Sequence, residues 1–339
     1  MRLPRFEYSE PGTLEEACSL LAQADTKVLA GGTELLVKLK QKTITPRALV
    51  NIKSIPHLDR IEETEDGGLS IGPATTLHAA ATSPLVRDRF GLVAEAAAAV
   101  GKPRIPYMAT LGGNLCLDGR CFYYNQSLLW KQSLPPCYKD GGHLCHVVQG
   151  SDHCNALFVA DTVPPLIALG AEVTLTGVDG ETRMPLEDFY TGRGEEVNVL
   201  QPGQVLSRIR IPAPPPYSTG VYLKHSLREA IDFAVVGVAL LLTVSPEDGT
   251  CRDARVVLGS VATRPLRAVA AEAALRGKAL DEGLVRTAAT LAAKETHPVS
   301  HLGVSATYKR RVIETLTKRA VRQAWRQAVA GSGSREGWR

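Results

Sequence analysis

The sequence predicts an α+β protein with two domains, and three observations support this fold class. A short strand, a glycine turn and a helix follow one another near the N-terminus, as in a βα unit with parallel strands. Further along, paired apolar runs flank the turns at residues 66–68 and 179–180, which is typical of antiparallel hairpins. Four of the five positions from 212 to 216 are proline, which marks a linker between domains.

Residues 1–55 are predicted to form a small βα subdomain. Thr13 begins a helix over residues 14–24, with Glu16 completing the capping-box pattern. A strand at 27–30 leads into a second helix that starts after Glu34, and a strand at 47–52 is expected to lie parallel to the first one.

Residues 56–213 are predicted to form a second subdomain, and residues 214–330 a C-terminal α+β domain. The second subdomain has strands at 57–61, 69–71, 171–175, 182–184 and 205–211, and helices at 77–81 and 86–100. The C-terminal domain has antiparallel strands at 220–224, 234–244 and 251–258, and helices at 265–276, 281–294 and 305–328. Residues 331–339 are expected to form a frayed, flexible tail.

Composition excludes several classes of function. The net charge of +4 and the 5% aromatic content are too low for a nucleic-acid-binding surface. No run of about 18 apolar residues is present, so no membrane span is expected. The N-terminal residues lack the apolar stretch of a signal peptide, and the sequence therefore predicts a cytoplasmic protein.

A cysteine-rich loop over residues 116–155 is the most unusual part of the sequence. Five of the seven cysteines fall in it: Cys116, Cys121, Cys137, Cys145 and Cys154. Glycine and proline breakers predict an irregular segment too long for an ordinary connection, so something must hold it in place. Disulfides, a zinc site and an iron–sulfur cluster all remain open, although a cytoplasmic setting counts against disulfides. His143, His146 and His153 keep a mixed zinc site open, but each also fits a polar loop position.

Two glycine turns suggest a site for a dinucleotide. Residues 30–33 read Ala-Gly-Gly-Thr between a strand and a helix, and residues 110–114 read Thr-Leu-Gly-Gly-Asn. Either turn alone is commonly structural, but two of them could hold a pyrophosphate from two sides. A Cβ atom at Gly32 is then expected to occupy the space through which the pyrophosphate approaches.

These motifs give the chain a family resemblance. Residues 30–35 and 109–115, followed by Asp161 with residues 164–166, and Lys224 with residues 232–234, resemble the FAD-binding (medium) subunits of molybdenum hydroxylases and xanthine dehydrogenases. The resemblance covers nearly the whole chain. It implies a two-part FAD-binding domain of the vanillyl-alcohol oxidase (PCMH) type, followed by a C-terminal three-stranded antiparallel sheet with helices.

The resemblance also implies a set of FAD-binding residues. They are Leu29, Ala30, Gly31, Gly32, Thr33, Glu34, Ala109, Thr110, Gly113, Asn114, Asp161 and Lys224. Asp161 is expected near the ribityl chain or the ring of the flavin, and Lys224 at the ring, where a cation stabilises the reduced anionic form. Lys224 also reads as an ordinary strand lysine.

The cysteine loop resembles one branch of this family, the β subunits of 4-hydroxybenzoyl-CoA reductases, in residues 115–126 and 145–154. That resemblance implies a [4Fe–4S] cluster held by Cys121, Cys137, Cys145 and Cys154, with Cys116 as a non-ligand. It also implies an electron-transfer subunit without catalytic residues of its own, in which electrons pass from a ferredoxin-like donor through the cluster and FAD.

The implied partners are a small [2Fe–2S] subunit and a large molybdopterin subunit, assembled as a dimer of heterotrimers. The molybdopterin subunit would reductively dehydroxylate 4-hydroxybenzoyl-CoA. Alternatives are the flavoprotein subunit of an oxidising aldehyde, xanthine or CO dehydrogenase, a self-contained FAD dehydrogenase, and a zinc-stabilised interaction module.

Overall fold

The computed structural model describes residues 2–301 and 303–332, and its first part is a small parallel sheet. Its strands are β1 (Glu7–Ser9), β2 (Thr26–Leu29) and β3 (Ala48–Asn51), in the order β1-β3-β2, with helices α1 (Leu14–Leu21) and α2 (Leu35–Gln41). Thr13 caps α1 by accepting a hydrogen bond from the Glu16 N–H at 3.2 Å. The predicted parallel pairing of β2 with β3 is confirmed, whereas β1 was not predicted.

The second sheet has five antiparallel strands in the order β4-β5-β8-β6-β7. They are β4 (Ile61–Glu63), β5 (Leu69–Ile71), β6 (Glu172–Gly177), β7 (Gly180–Pro185) and β8 (Val205–Ile211). β8 has the predicted bounds. The predicted strand at 57–61 is wrong in its first part, because His57 has a φ of 71° and residues 57–59 form a turn.

Short helices cover this sheet and lead into the loop. They are α3 (Leu77–Thr82), α4 (Pro84–Arg89), α5 (Gly91–Ala99), α6 (Leu111–Leu115), α7 (Leu128–Lys131) and α8 (Val163–Ala168). The single predicted helix at 86–100 is wrong. The structure has two helices there, interrupted at Phe90, whose φ of −129° and ψ of 40° lie outside the helical region. The Phe90 side chain is buried in the core, so packing overrides the helical propensity of the alanine-rich segment.

The last part of the chain is a sheet in the order β12-β11-β10-β9, covered by helices. Its elements are β9 (Ser218–His225), β10 (Val236–Val244), β11 (Cys251–Gly259), β12 (Leu266–Arg267), α9 (Val269–Leu275), α10 (Glu282–Lys294) and α11 (Ala306–Ser332). The three predicted strands are confirmed. A two-residue edge strand joins them, and the helix predicted at 265–276 therefore begins only at Val269. The predicted tail of residues 331–339 is wrong for residues 331–332, which belong to α11, and residues 333–339 lie outside the described residues.

The largest hydrophobic core joins the two halves of the chain. It is built on the five-stranded sheet with α5 and α8, and it also contains four residues of the last sheet: Tyr222, Ala239, Leu241 and Val257. A second core lies between that sheet and helices α9 to α11. The predicted domain bounds at residues 55 and 213 stay predictions. Within the described residues, no helix is both long and apolar enough to cross a bilayer.

A buried histidine near the start of α11 predicts a pH-dependent stability. His301 has a buried Nε2 atom without a hydrogen-bond partner in the described part of the chain. Burial, aided by the nearby Lys309 charge, lowers the pKa of His301 from 6.5 to about 4. Between these values the unfolded chain binds a proton that the folded chain does not, so stability falls as the pH drops through this window.

We therefore expect the melting temperature of the wild-type chain to fall more steeply than that of His301→Asn between pH 6.5 and pH 4.5. Circular dichroism melts across this range measure the difference. Equal slopes for the two proteins would show that His301 is not the buried neutral group described above.

Candidate functional site

The first glycine turn presents a row of free backbone donors. It connects β2 to α2, and within the described residues none of the N–H groups from Gly32 to Leu35 donates a hydrogen bond. Successive unpaired N–H groups at a helix start form a concave binding site for an anion such as a phosphate. The buried Oε1 atom of Glu34 is also without a hydrogen-bond partner in this part of the structure.

Both glycines of this turn are required by its backbone. A Cβ atom on Gly31 would lie 1.9 Å from the carbonyl oxygen of Met108, so the first turn touches the segment that precedes the second one. Gly32 has a φ of +69°, and its Cβ would meet Leu36 and Leu29 at 3.0 and 3.4 Å. The expectation that a Cβ at Gly32 would block the pyrophosphate stays a prediction, and the structure adds two further reasons for glycine, namely backbone strain and contact with leucine side chains.

The second glycine turn uses its donors internally. Thr110 caps α6, accepting from the Gly113 N–H at 3.1 Å, and the Gly112 N–H donates to the Pro73 carbonyl at 2.9 Å. Gly112 is needed because its Cβ would lie 2.5 Å from the Pro73 Cβ, whereas a Cβ on Gly113 would meet only Thr110 Oγ1, at 3.0 Å. The second turn is therefore a packing element first, and only its exposed Gly113 side faces solvent.

Asn114 links the second turn to Asp161. Its Oδ1 accepts hydrogen bonds from both the N–H and the hydroxyl of Thr162, at 3.2 and 2.7 Å. Asp161 precedes Thr162 and is 4% exposed. The structure thus brings together two residues that the sequence placed in one site, although they are far apart in the chain.

Asp161 and Lys224 form a buried ion pair. The Lys224 ammonium donates to Asp161 Oδ2 at 2.7 Å and to the carbonyl oxygens of Ala99 and Asp232 at 3.0 and 2.9 Å. The Tyr222 hydroxyl donates to Asp161 Oδ1 at 2.7 Å. An ammonium has three N–H donors, and all three are used here. The predicted contact of Lys224 with a flavin ring stays a prediction. In this structure the charge of Lys224 is paired with the carboxylate of Asp161.

Burial sets the electrostatics of this pair. Loss of hydration raises the pKa of Asp161 above its ordinary value, and the neighbouring Lys224 charge opposes part of the rise. Burial also raises the pKa of Tyr222, with the Asp161 charge adding to the effect. Tyr222 is not among the site residues predicted from the sequence, although its position two residues before Lys224 on one strand predicts that both side chains share a face.

The cysteine-rich loop is largely irregular, as predicted, with only α7 and a short 3₁₀ turn at Tyr138–Asp140. Cys121 and Cys154 are buried in a small cluster with Tyr124 and Ala156, and Cys137 packs against it. Burial raises the pKa of Cys121, and the nearby thiols of Cys137 and Cys145 add to the rise. The loop therefore collects the predicted ligand cysteines in one region.

The sulfur atoms of the loop accept hydrogen bonds. The Ala156 N–H donates to Cys154 Sγ at 3.4 Å, and the Asn155 side chain lies 3.6 Å from Cys145 Sγ. Burial opposes ionisation of Cys145, but the N–H groups of Val148, Asn155 and Val147 together outweigh it and lower its pKa. Such donors stabilise thiolates, the form of cysteine that binds metals.

The three cysteines that are not predicted metal ligands, Cys18, Cys116 and Cys251, behave as ordinary thiols. Cys18 and Cys251 donate to the carbonyl oxygens of Thr176 and Asp253, at 3.2 and 3.5 Å. Burial raises the pKa of Cys116 to about 12. Burial raises the pKa of Cys154, a predicted ligand, to about 12 as well. What distinguishes Cys116 is its location, because it packs against the main core, whereas Cys121 and Cys154 lie in the small cluster of the loop.

A preformed metal site is not present in the loop. Across residues 2–301 and 303–332, no three His, Cys, Asp or Glu side chains stand in positions that would hold a metal ion. The His146 ring contacts the Pro135 carbonyl oxygen at 2.9 Å, and the His153 ring contacts Asp152 at 2.7 Å. Binding of a metal centre would have to draw the thiols closer together.

Two family models match the chain in succession. Residues 4–214 match the FAD-binding domain of molybdopterin dehydrogenases, and residues 221–324 match the C-terminal domain of CO dehydrogenase flavoproteins. The carbon monoxide dehydrogenase medium chain of Hydrogenophaga pseudoflava is 30% identical over 325 residues, which cover 95% of this chain and 98% of that one. The putative xanthine dehydrogenase FAD-binding subunit XdhB of Escherichia coli is 25% identical, covering 97% of each chain.

Solved structures of similar proteins have the same fold as this chain. The carbon monoxide dehydrogenase of Hydrogenophaga pseudoflava superposes with a TM-score of 0.79 at 30% identity, covering 96% of this chain and 99% of that one. Quinoline 2-oxidoreductase from Pseudomonas putida 86 gives a TM-score of 0.78 at 26% identity, covering 97% and 99%.

The fold and the matched models define a two-part FAD-binding protein. More specifically, the chain belongs to the flavoprotein subunits of the molybdenum hydroxylase family, which includes the medium chains of carbon monoxide dehydrogenase and the FAD-binding subunits of xanthine dehydrogenase. The residues present fit FAD, because the free N–H groups of the first turn suit a pyrophosphate. When bound, FAD exchanges one or two electrons.

Substitution in the first turn should weaken FAD binding. Gly31→Ala places a Cβ against the Met108 carbonyl, and Gly32→Val strains a backbone at φ +69°. We expect each to raise the FAD dissociation constant at least about tenfold, equal to about 1.4 kcal/mol. Titration of flavin fluorescence measures this. Gly12→Ala is the matched control, because nothing lies within 4 Å of its added Cβ. Wild-type affinity in Gly31→Ala would contradict the assignment of this turn.

Breaking the buried ion pair should destabilise the protein strongly. Asp161→Asn leaves the Lys224 charge buried without its counter-ion, at a cost of about 3–5 kcal/mol in the free energy of unfolding. Tyr222→Phe removes only one hydrogen bond and should cost about 1 kcal/mol. Denaturant unfolding measures both. The reverse order of the two costs would show that Lys224 is not held as a charge by Asp161.

Proposed function

We propose that the chain is the flavin- and cluster-bearing electron-transfer subunit of a multi-subunit molybdenum enzyme. FAD binds at the two glycine turns, with Leu29–Glu34, Ala109, Thr110, Gly113, Asn114, Asp161 and Lys224 as its predicted surroundings. A [4Fe–4S] cluster binds to Cys121, Cys137, Cys145 and Cys154. Electrons from a ferredoxin-like donor reach the molybdenum centre of a partner subunit by way of this chain and a small [2Fe–2S] subunit.

One observation carries the proposal of a cluster. Sulfur atoms in the cysteine loop accept N–H hydrogen bonds, whereas Cys18 and Cys251 donate theirs. Hydrogen bonds to sulfur and burial are the features with which proteins adjust iron–sulfur centres. Burial raises the pKa of Cys154 to about 12, and the Ala156 N–H and the Lys139 charge oppose part of the rise. The same positive charge would offset part of the negative charge of a thiolate cluster.

The remaining part of the proposal concerns the substrate and the direction of electron flow. A cluster on the flavoprotein subunit supplies an additional point of entry for electrons, which suits a reductive enzyme such as 4-hydroxybenzoyl-CoA reductase. The proposed assembly is a dimer of heterotrimers in the cytoplasm. The relatives' names, which include carbon monoxide, nicotinate and glyceraldehyde dehydrogenases, keep an oxidising enzyme as the second candidate.

Metal analysis tests the cluster. Anaerobically purified chain should contain about four irons and no stoichiometric zinc, and Cys137→Ser should lose the iron, because it removes one of four thiolates. Cys116→Ser is the control and should keep the iron, since this thiol packs against the main core and not in the cluster that contains Cys121 and Cys154. One zinc per chain and no iron, or loss of iron in Cys116→Ser alone, would overturn the ligand set.

The assembled enzyme tests the direction of electron flow. The chain should co-purify with a molybdopterin subunit and a [2Fe–2S] subunit from its native source. With a low-potential donor such as reduced methyl viologen, the complex should convert 4-hydroxybenzoyl-CoA to benzoyl-CoA. Oxidation of an aldehyde or a purine by the same complex, without that reduction, would support the second candidate.

A further inference from the structure

Two bridges of charged side chains join the first glycine turn to the cysteine loop. In the first bridge, Lys38 on α2 pairs with Asp118, which also pairs with Lys139. In the second bridge, Glu34 pairs with Arg120, the residue before Cys121. Each bridge therefore runs from a residue in or next to the turn to a residue of the loop.

These bridges are partly shielded from water. The side chains of Lys38 and Lys139 are 12% and 5% exposed, and those of Asp118 and Arg120 are 24% and 19% exposed. Exposed ion pairs contribute little to stability. When an ion pair is shielded from water, removing one of its two partners is strongly destabilising. Loss of one partner of the first bridge would leave a shielded charge with fewer counter-ions. Without Lys38, Asp118 keeps Lys139, and without Asp118, Lys38 keeps Glu34, at 3.6 Å.

Each bridge is anchored firmly on the loop side. Lys139 also donates to the Gly194 carbonyl oxygen at 2.5 Å. Arg120 exchanges backbone hydrogen bonds with Leu157, at 2.7 and 2.9 Å, and its guanidinium lies 4.5 Å from the ring centre of Phe233. The loop ends of the bridges therefore have fixed positions as long as the loop is folded.

Helix α2, in contrast, has little packing of its own. It has seven residues, of which only Leu39 is buried, and Val37 is 43% exposed. A helix this short is unstable unless tertiary contacts hold it. Since α2 starts directly after the free N–H groups, its position sets the direction in which those groups point.

We propose that the Lys38–Asp118 and Glu34–Arg120 bridges couple flavin binding to the folding of the cysteine loop. A folded loop holds α2 and the first turn in the conformation that binds the pyrophosphate, and bound FAD stabilises the loop in return. This inference rests on the proposed FAD site, but it does not depend on which metal the loop holds. Lys38, Asp118 and Arg120 are positioning residues that act through the turn.

A double-mutant cycle on the full-length chain tests the coupling. The variants are Lys38→Met, Asp118→Asn and the double variant, and flavin fluorescence gives the FAD dissociation constant of each. We expect each single variant to weaken binding by a factor of about 5 to 150, the usual range for coupled sites. The double variant should be weakened by less than the product of the two single effects, because the Lys38–Asp118 contact is lost in all three variants.

Two controls separate positioning from general damage. Lys38→Arg keeps the charge and should retain most of the affinity. Lys318→Met makes the same change in an ion pair of α11, with Glu314, and should leave FAD binding unchanged. Effects that multiply in the double variant, or Lys38→Met with wild-type affinity, would overturn the coupling.

The reciprocal effect gives a second readout that does not involve activity. Saturating FAD should slow proteolytic cleavage within residues 116–155 of the wild-type chain, as followed by mass spectrometry, and the protection should be lost in Lys38→Met even at saturating FAD. If the wild-type chain binds FAD but cleavage in the loop is unaffected by it, the coupling alone fails. If the wild-type chain binds no FAD, the proposed function fails as well.

Discussion

The buried ion pair between Asp161 and Lys224 is the interaction on which the arrangement of the site depends. Asp161 belongs to the FAD-binding part of the chain and Lys224 to the first strand of the last sheet. The same ammonium holds the carbonyl oxygens of Ala99 and Asp232, so four segments meet at one nitrogen atom. Two charges withdrawn from water tolerate few other geometries, which fixes the last sheet against the second glycine turn.

The two glycine turns look alike in the sequence but have different structural roles. In the first, the backbone donors are free and the glycines permit a positive φ and a close approach to Met108. In the second, the donors close a helix cap and Gly112 packs on Pro73. A Gly-Gly pair shows only that side chains are absent. The sequence therefore does not distinguish a turn with free N–H donors from a turn whose glycines are needed for close packing.

The sequence was sufficient for most of the strands and helices, because local patterns determine them, whereas the predicted site residues came from the family resemblance. The strand at 205–211 and the loop of residues 116–155 were predicted from apolar alternation and from breakers. The sequence did not predict the features that depend on contacts between residues far apart in the chain. Phe90 interrupts a helix because its ring is needed in the core, and the bridge from Lys38 to Asp118 joins residues 80 positions apart. Neither effect leaves a periodic signal.

The shared core has a consequence for how such proteins can be recombined. The family models divide the chain between residues 214 and 221, but Tyr222, Ala239, Leu241 and Val257 from the far side of that division fill the core of the near side. A chimera that joins one relative's FAD-binding part to another's C-terminal part at the linker would inherit mismatched side chains at these four positions. The transferable unit is therefore the C-terminal part together with the side chains that contact it across the linker.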